Sequence, residues 1–128
     1  FLLVAPDGHP LAGRSAIRLR DLAAEAFVFY KGRARDTVLT ACRSAGFEPR
    51  VACESGELET VRALVAAGLG VAVLPELAVL PVPRGLAAVP LARPGLHRAI
   101  GVAWSGGETP SRAAAEFLEF IGDLRREG

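Results

Sequence analysis

The segment from Glu57 to Pro75, ELETVRALVAAGLGVAVLP, leaves the backbone few choices. Apolar residues at Leu58, Val61, Leu64 and Val65 recur at the spacing of one helical face. Glu57 and Glu59 fall in the first turn, where the helix dipole favours negative charge. Gly68 is placed to take the left-handed conformation that closes a helix. Val71, Ala72, Val73 and Leu74 then run without a polar interruption, the pattern of a strand covered on both faces. A helix, a glycine stop and a doubly buried strand demand a layered α/β fold, because such a strand needs helices on both of its sides.

The rest of the chain extends the pattern. Phe1 to Ala5 reads as a strand, and Pro6-Asp7-Gly8 is a turn signal. Leu19 to Glu25 reads as a short helix or turn capped by Asp21, and Phe27 to Tyr30 is a short β-prone run. A polar loop, Gly32 to Arg35, leads to a helix opening at Asp36, with Val38, Leu39, Cys42 and Ala45 on one face and Gly46 as its stop. Arg50 to Cys53 is the next strand, and Ser55-Gly56 turns into the helix already described. From residue 27 to 74 the order is therefore strand, helix, strand, helix, strand, which implies a parallel sheet with right-handed crossovers.

Pro75 to Leu80 reads as one more helical turn, and Pro81 to Gly85 as a break. Leu86 to Leu91 and Arg98 to Trp104 read as two further strands. Thr109-Pro110 is a favourable helix start, for a last helix burying Ala114, Phe117, Leu118, Ile121 and Leu124.

Composition narrows the function classes. With 128 residues and 51% hydrophobic content, the chain can build one domain with a core. A net charge of +1 lacks the concentrated basic patch of a nucleic-acid binder. No apolar run approaches the ~20 residues needed to cross a bilayer, and Phe1 to Ala5 is too short for a signal peptide. Cys42 and Cys53 lack the second ligand pair of a zinc site, and neither His9 nor His97 stands at ligand spacing. They read as reduced core thiols. Without an initiating methionine, and opening inside what reads as a strand, the chain reads as a piece of something longer.

In an open α/β sheet, ligands bind beyond the carboxyl ends of the parallel strands. Here those loops are Tyr30 to Arg35, Glu54 to Gly56 and the turn after Leu74. The first carries Lys31, Arg33 and Arg35 beside a helix N-terminus, whose free N–H groups attract anions. A small molecule bearing a carboxylate is the ligand class that fits; a solvated basic loop is the alternative.

Three blocks stand together in order and spacing: LLVAPDGHPLA, CRSAGFEPRVACESGELETVRALVAAGLGVAVLPELAV and LHRAIGVAWSGGETPSRAAAEFLEFI. They resemble the effector-binding (substrate-binding) domain of bacterial LysR-type transcriptional regulators, truncated at its N-terminal side, and the resemblance covers essentially the whole chain. It implies a fold like type II periplasmic binding proteins, two α/β lobes joined by crossing strands with an inducer between them. On that reading residues 1–9 are the crossing strand from the first lobe and 10–85 the complete second lobe. Residues 86–128 are the return strand and the C-terminal part of the first lobe. The winged helix-turn-helix would be absent, so DNA binding would belong to the cytoplasmic parent protein, a homodimer or homotetramer.

Carried over residue by residue, the family's inducer contacts fall on Gly32, Arg33 and Ala34, with Tyr30 and Arg35 as neighbours and Glu54, Ser55 and Gly56 on the adjacent loop. The implied partner is an anionic metabolite; no cofactor, metal, membrane or catalytic group is implied. The middle block also resembles the peroxide-sensing branch of the family, with Cys42 at the position of the second redox cysteine. The first would fall near Arg33, where there is no cysteine, and Cys53 does not replace it by position.

Other classes fit less well. Gly68-Leu69-Gly70 precedes a strand and lacks the third glycine of a dinucleotide loop. Ser105-Gly106-Gly107 lacks the frame of a hydrolase nucleophile. A solute-binding protein fragment shares the fold but needs both lobes and a signal peptide. Truncation of the first lobe is expected to leave apolar surface at Ile100, Val102, Trp104 and Phe117, to be covered by self-association.

Overall fold

A computed structural model describes residues 1–103 and 111–127, the side chains of 123–127 excepted. The chain divides into two compact units, Phe1–Arg98 and Ala99–Gly128. The first holds five strands and two helices: β1 (Leu2–Pro6), β2 (Ala26–Tyr30), α1 (Ala34–Ser44), β3 (Arg50–Ser55), α2 (Leu58–Ala66), β4 (Ala72–Leu74) and β5 (Leu86–Pro90). The described part of the second holds one helix, α3 (Arg112–Glu127).

β2 and β3 pair in parallel, whereas β1 pairs antiparallel with both β4 and β5. A parallel bridge between Phe27 and Val71 joins the two ladders. The resulting order is β3-β2-β4-β1-β5. The expected parallel arrangement of three strands is thus reached, but the backbone pairing with β2 is limited to that bridge, at the residue just before β4. Its longer ladder runs to β1, Leu2 facing Leu74 and Val4 facing Ala72.

Strand alternation sorts the core into two layers. Leu3, Ala5, Phe27, Phe29, Val71, Val73 and Val89 face one side, where Val38 and Cys42 of α1 meet them. Val4, Val28, Ala72, Leu74 and Leu86 face the other, against Val61 and Val65 of α2. Successive strand side chains point to opposite faces, so a strand buried on both has every residue apolar. β4 is such a strand, with all of its residues buried. Each Val sealed beneath a helix contributes roughly 1.5–3 kcal/mol of transfer free energy.

Glycine closes both helices of this unit. Gly46 has φ +92° and Gly68 φ +82°, conformations a side chain resists. The backbone N–H of Phe47 donates to the Cys42 carbonyl, and that of Leu69 to the Leu64 carbonyl, which satisfies the last turns.

Several local expectations shift. The first helix opens at Ala34, two residues before Asp36. Leu19–Leu22 is a 3-10 turn in which Asp21 is not the cap but the third residue; its carboxylate accepts from the Arg18 backbone N–H at 3.0 Å and from the guanidinium. Those bonds hold its pKa below the ordinary carboxylate value. The helical turn expected over Pro75 to Leu80 is a shorter 3-10 turn, Glu76–Ala78.

In the second unit, Ala99 to Ala103 form no strand, contrary to expectation, since no neighbouring strand among the described residues pairs with them. Ile100 and Val102 are exposed there. On α3, Leu118 and Ile121 are half-buried, but Ala114 and Phe117 are exposed rather than buried. Trp104, Ser105-Gly106-Gly107, Thr109-Pro110 and the side chain of Leu124 lie outside the described residues.

Candidate functional site

The loops after β2 and β3 leave the sheet at the same end, because the two strands run parallel. The Lys31 backbone N–H donates to the Ser55 carbonyl at 2.8 Å, which locks one loop to the other. Arg35, at the start of α1, spans the same gap: its Nε and Nη2 donate to Glu54 Oε1 at 2.9 and 2.6 Å. The guanidinium also lies 3.6 Å from the Asp36 carboxylate and 5.8 Å from the centre of the Phe29 ring. Tyr30, Gly32, Arg33, Ala34, Arg35, Glu54, Ser55 and Gly56 therefore form one continuous ledge, as two converging loops require.

Their roles within the ledge differ. Arg35 and Glu54 neutralise each other and fix the loop spacing. The Ser55 hydroxyl accepts from the Glu57 backbone N–H at 3.1 Å and so starts α2. Gly32 leaves room for the Tyr30 ring, which a Cβ at that position would strike. Tyr30 itself is half-buried against the α2 side of the core. Lys31 and Arg33 remain as exposed cations beside the N-terminus of α1, and neither enters an ion pair among the described residues. Sequence spacing had grouped Arg35 with Arg33; the partner nineteen residues away that occupies it was not legible locally.

The two thiols are free. Cys42 is fully buried on the α1 side of the sheet, whereas Cys53 packs on the α2 side. The sheet stands between them, an unsuitable geometry for a disulfide. Burial first, and the charge of Glu48 second, push the Cys42 thiol up to about 11. The native state thus holds this proton more tightly than the unfolded chain. The associated stability is complete below the ordinary thiol value of 9.0 and is lost as pH rises toward about 11.

Thiolates, not thiols, are nucleophiles. Iodoacetamide at pH 7.5 is expected to add one carbamidomethyl group to the native chain, at the half-buried Cys53, and two in denaturant. Intact-mass measurement checks this; rapid double labelling of native protein would contradict the burial of Cys42.

A cavity of about 510 Å3 opens away from the ledge. It is bounded by the last turns of α1, the 3-10 turn at Leu19 and the segment from Leu91 to Leu96. None of the eight ledge residues lines it, and nothing in the strand-end rule pointed there.

Comparison with known proteins bears on the whole chain. Residues 1–126 match the family described as LysR substrate binding domain. The transcriptional dual regulator GltC of Bacillus subtilis (strain 168) is 31% identical over 121 residues, covering 92% of this chain and 40% of that protein. The DNA-binding transcriptional dual regulator OxyR of Escherichia coli (strain K12) is 34% identical over 132 residues, covering all of this chain and 43% of its own length. Among solved structures, the C-terminal domain of a probable LysR family transcriptional regulator from Rhodococcus sp. RHA1 superposes with a TM-score of 0.72 at 32% identity, over 94% of this chain and 62% of that one. The chain spans about two fifths of the length of these curated relatives. The parallel βαβ core, the antiparallel strands beside it and the match across residues 1–126 agree, and this chain belongs to the LysR substrate-binding domain family, whose fold is that of type II periplasmic binding proteins.

Proposed function

We propose that this chain is the effector-sensing part of a LysR-type transcriptional regulator and that it holds a small anionic metabolite on the ledge between the β2 and β3 loops. The carrying observation is Arg33: an exposed cation at the N-terminus of α1, on a loop tied to its neighbour by the Arg35–Glu54 pair and the Lys31–Ser55 backbone bond. Helix N–H groups and an exposed guanidinium at the same helix start suit a carboxylate.

On this reading residues 1–9 are the crossing strand from the first lobe, 10–85 the second lobe, and 86–128 the return strand and the C-terminal part of the first lobe. The parent would be a cytoplasmic homodimer or homotetramer that contacts DNA through a separate domain. Ligand biases such an assembly only by its difference in affinity for two states. The family consists of transcriptional regulators rather than enzymes. No helix among the described residues is long and apolar enough to cross a membrane.

A thermal-shift screen of organic acids tests the proposal. An acid present at a hundred times its Kd stabilises the fold by about 2.7 kcal/mol. Arg33→Ala is expected to weaken the acid found by roughly tenfold or more, the loss of one charge-assisted hydrogen bond. The unliganded melting midpoint should stay in place, because Arg33 is exposed and enters no ion pair among the described residues. Unchanged affinity in Arg33→Ala would remove the ledge as the site.

A further inference from the structure

The cavity beside α1 has the chemistry of a ligand site of its own. Its floor is apolar: Leu19, Leu91 and Leu96, all packed on the first core layer, with the small side chains of Ala41 and Ala45 leaving the space open. Its volume of about 510 Å3 falls in the range usual for small-molecule sites, roughly 300–1,000 Å3.

The polar lining is of one sign. Arg18, Arg20 and Arg93 border the hollow, and no Asp or Glu does. Arg18 is engaged by Asp21 at 3.1 Å. Arg20 and Arg93 are exposed and enter no ion pair among the described residues. Three carbonyls of the last turn of α1 are already occupied. The Ala45 N–H donates to Ala41, the Gly46 N–H to Arg43 and the Phe47 N–H to Cys42, at 2.9 to 3.1 Å. The C-terminal end of α1 carries only about half a negative charge, whereas Arg20 and Arg93 bring two full positive charges that enter no ion pair among the described residues.

We infer that this hollow is a second binding site, distinct from the ledge, for a small organic anion with a flat apolar body. The body covers the leucine and alanine floor and the anionic group meets Arg20 and Arg93, a fork geometry suited to carboxylate or sulfonate. A neutral molecule of the same shape gains the floor but not the arginines. An acidic protein segment would meet the arginines but would leave the floor largely uncovered. The inference is independent of the effector reading, since the two sites share no residue.

The test is a titration of the chain with 2-naphthoate followed by amide proton–nitrogen NMR. Saturable shifts are expected at Ala41, Ser44, Ala45, Leu91 and Ala92, with Lys31 to Arg35 unmoved. Arg20→Ala and Arg93→Ala should each weaken binding about tenfold, as should exchange of 2-naphthoate for neutral 2-naphthamide. Ala45→Leu should abolish binding by filling the hollow; Arg93→Ala, at an exposed position, keeps the test valid if that variant misfolds. Arg33→Ala should bind 2-naphthoate as well as the unmodified chain. Shifts that do not saturate, shifts centred on Lys31 to Arg35, or equal affinity for the amide would each overturn the inference. So would arginine variants that bind unchanged.

Discussion

Phe27→Ala is expected to lower the stability of the first unit by about 3–5 kcal/mol, the range for deleting a buried aromatic ring. Phe27 is 1% exposed on β2, at the junction of the two ladders. Its ring stacks on Phe29 with centroids 5.6 Å apart and meets Phe47 at 6.2 Å. Leu3, Val38, Cys42 and Val71 belong to the same cluster, so the truncation opens a void among groups held by three strands and a helix. Those neighbours cannot all close in, and the cavity cost adds to the lost transfer energy. Domains of this size have roughly 5–15 kcal/mol in total, so the variant should unfold at a much lower urea concentration. Phe117→Ala is the control: that ring is 56% exposed, and its removal should change stability by no more than about 0.5 kcal/mol. Equal urea midpoints for the two variants would contradict the core assignment.

The second large effect comes from the smallest residue. Gly70→Ala is expected to cost about 2–5 kcal/mol, an overpacking term plus two hydrogen bonds put at risk. Gly70 is needed for space rather than for an unusual backbone angle: a Cβ there would strike the Ala26 carbonyl oxygen and lie 2.8 Å from its carbon. That same oxygen accepts from the Val71 N–H at 2.8 Å, and the Val71 carbonyl accepts from the Val28 N–H at 2.8 Å. These two bonds are the bridge that joins β4 to β2. Pushing the strands apart should therefore loosen the join between ladders as well as the core beneath it. Hydrogen exchange at the Val28 and Val71 amides reports the loosening directly, with protection expected to fall by orders of magnitude more than at Leu3. Gly56→Ala, with nothing within 4 Å of the added carbon, should be near neutral. If the two alanine variants melted together, the close approach at Gly70 would be wrong.

How much of this was readable beforehand depends on the range of the interaction. The α2–Gly68–β4 unit was legible to within a residue, with Glu57 just before the helix and Val71 just before the strand, because everything that specifies it is local: a helical face, a glycine at positive φ and a run of apolar side chains. The helix start at Ala34 was missed by two residues because Arg33 and Ala34 carry no capping signal of their own. The strand expected at Arg98 to Trp104 has suitable residues, but a strand exists only where another strand pairs with it, and composition does not supply the partner. The apolar face expected on α3 had helical spacing at Ala114 and Phe117, yet spacing names a face without naming what covers it.

The ledge and the hollow divide in the same way. The ledge was found from the sequence, since the end of a parallel strand is fixed by the order of elements. The standing of its residues was not. Arg33 and Arg35 look alike along the chain, and only the folded sheet brings Glu54 to one of them. The hollow gathers Arg18, Arg20 and Arg93 from segments more than seventy positions apart, with no spacing to betray them.

By itself the sequence located the helices and strands of the first unit to within a few residues, the glycines that stop its helices, their apolar faces and the family that carries these blocks. Tertiary structure decided that β4 leans on β1 more than on β2, that Arg35 is spent on Glu54, and that an arginine-rimmed cavity opens beside α1. The physical reason is that periodicity fixes the direction of a side chain relative to its own backbone. What that side chain meets is set by contacts distant in sequence, and those exist only once the sheet has assembled.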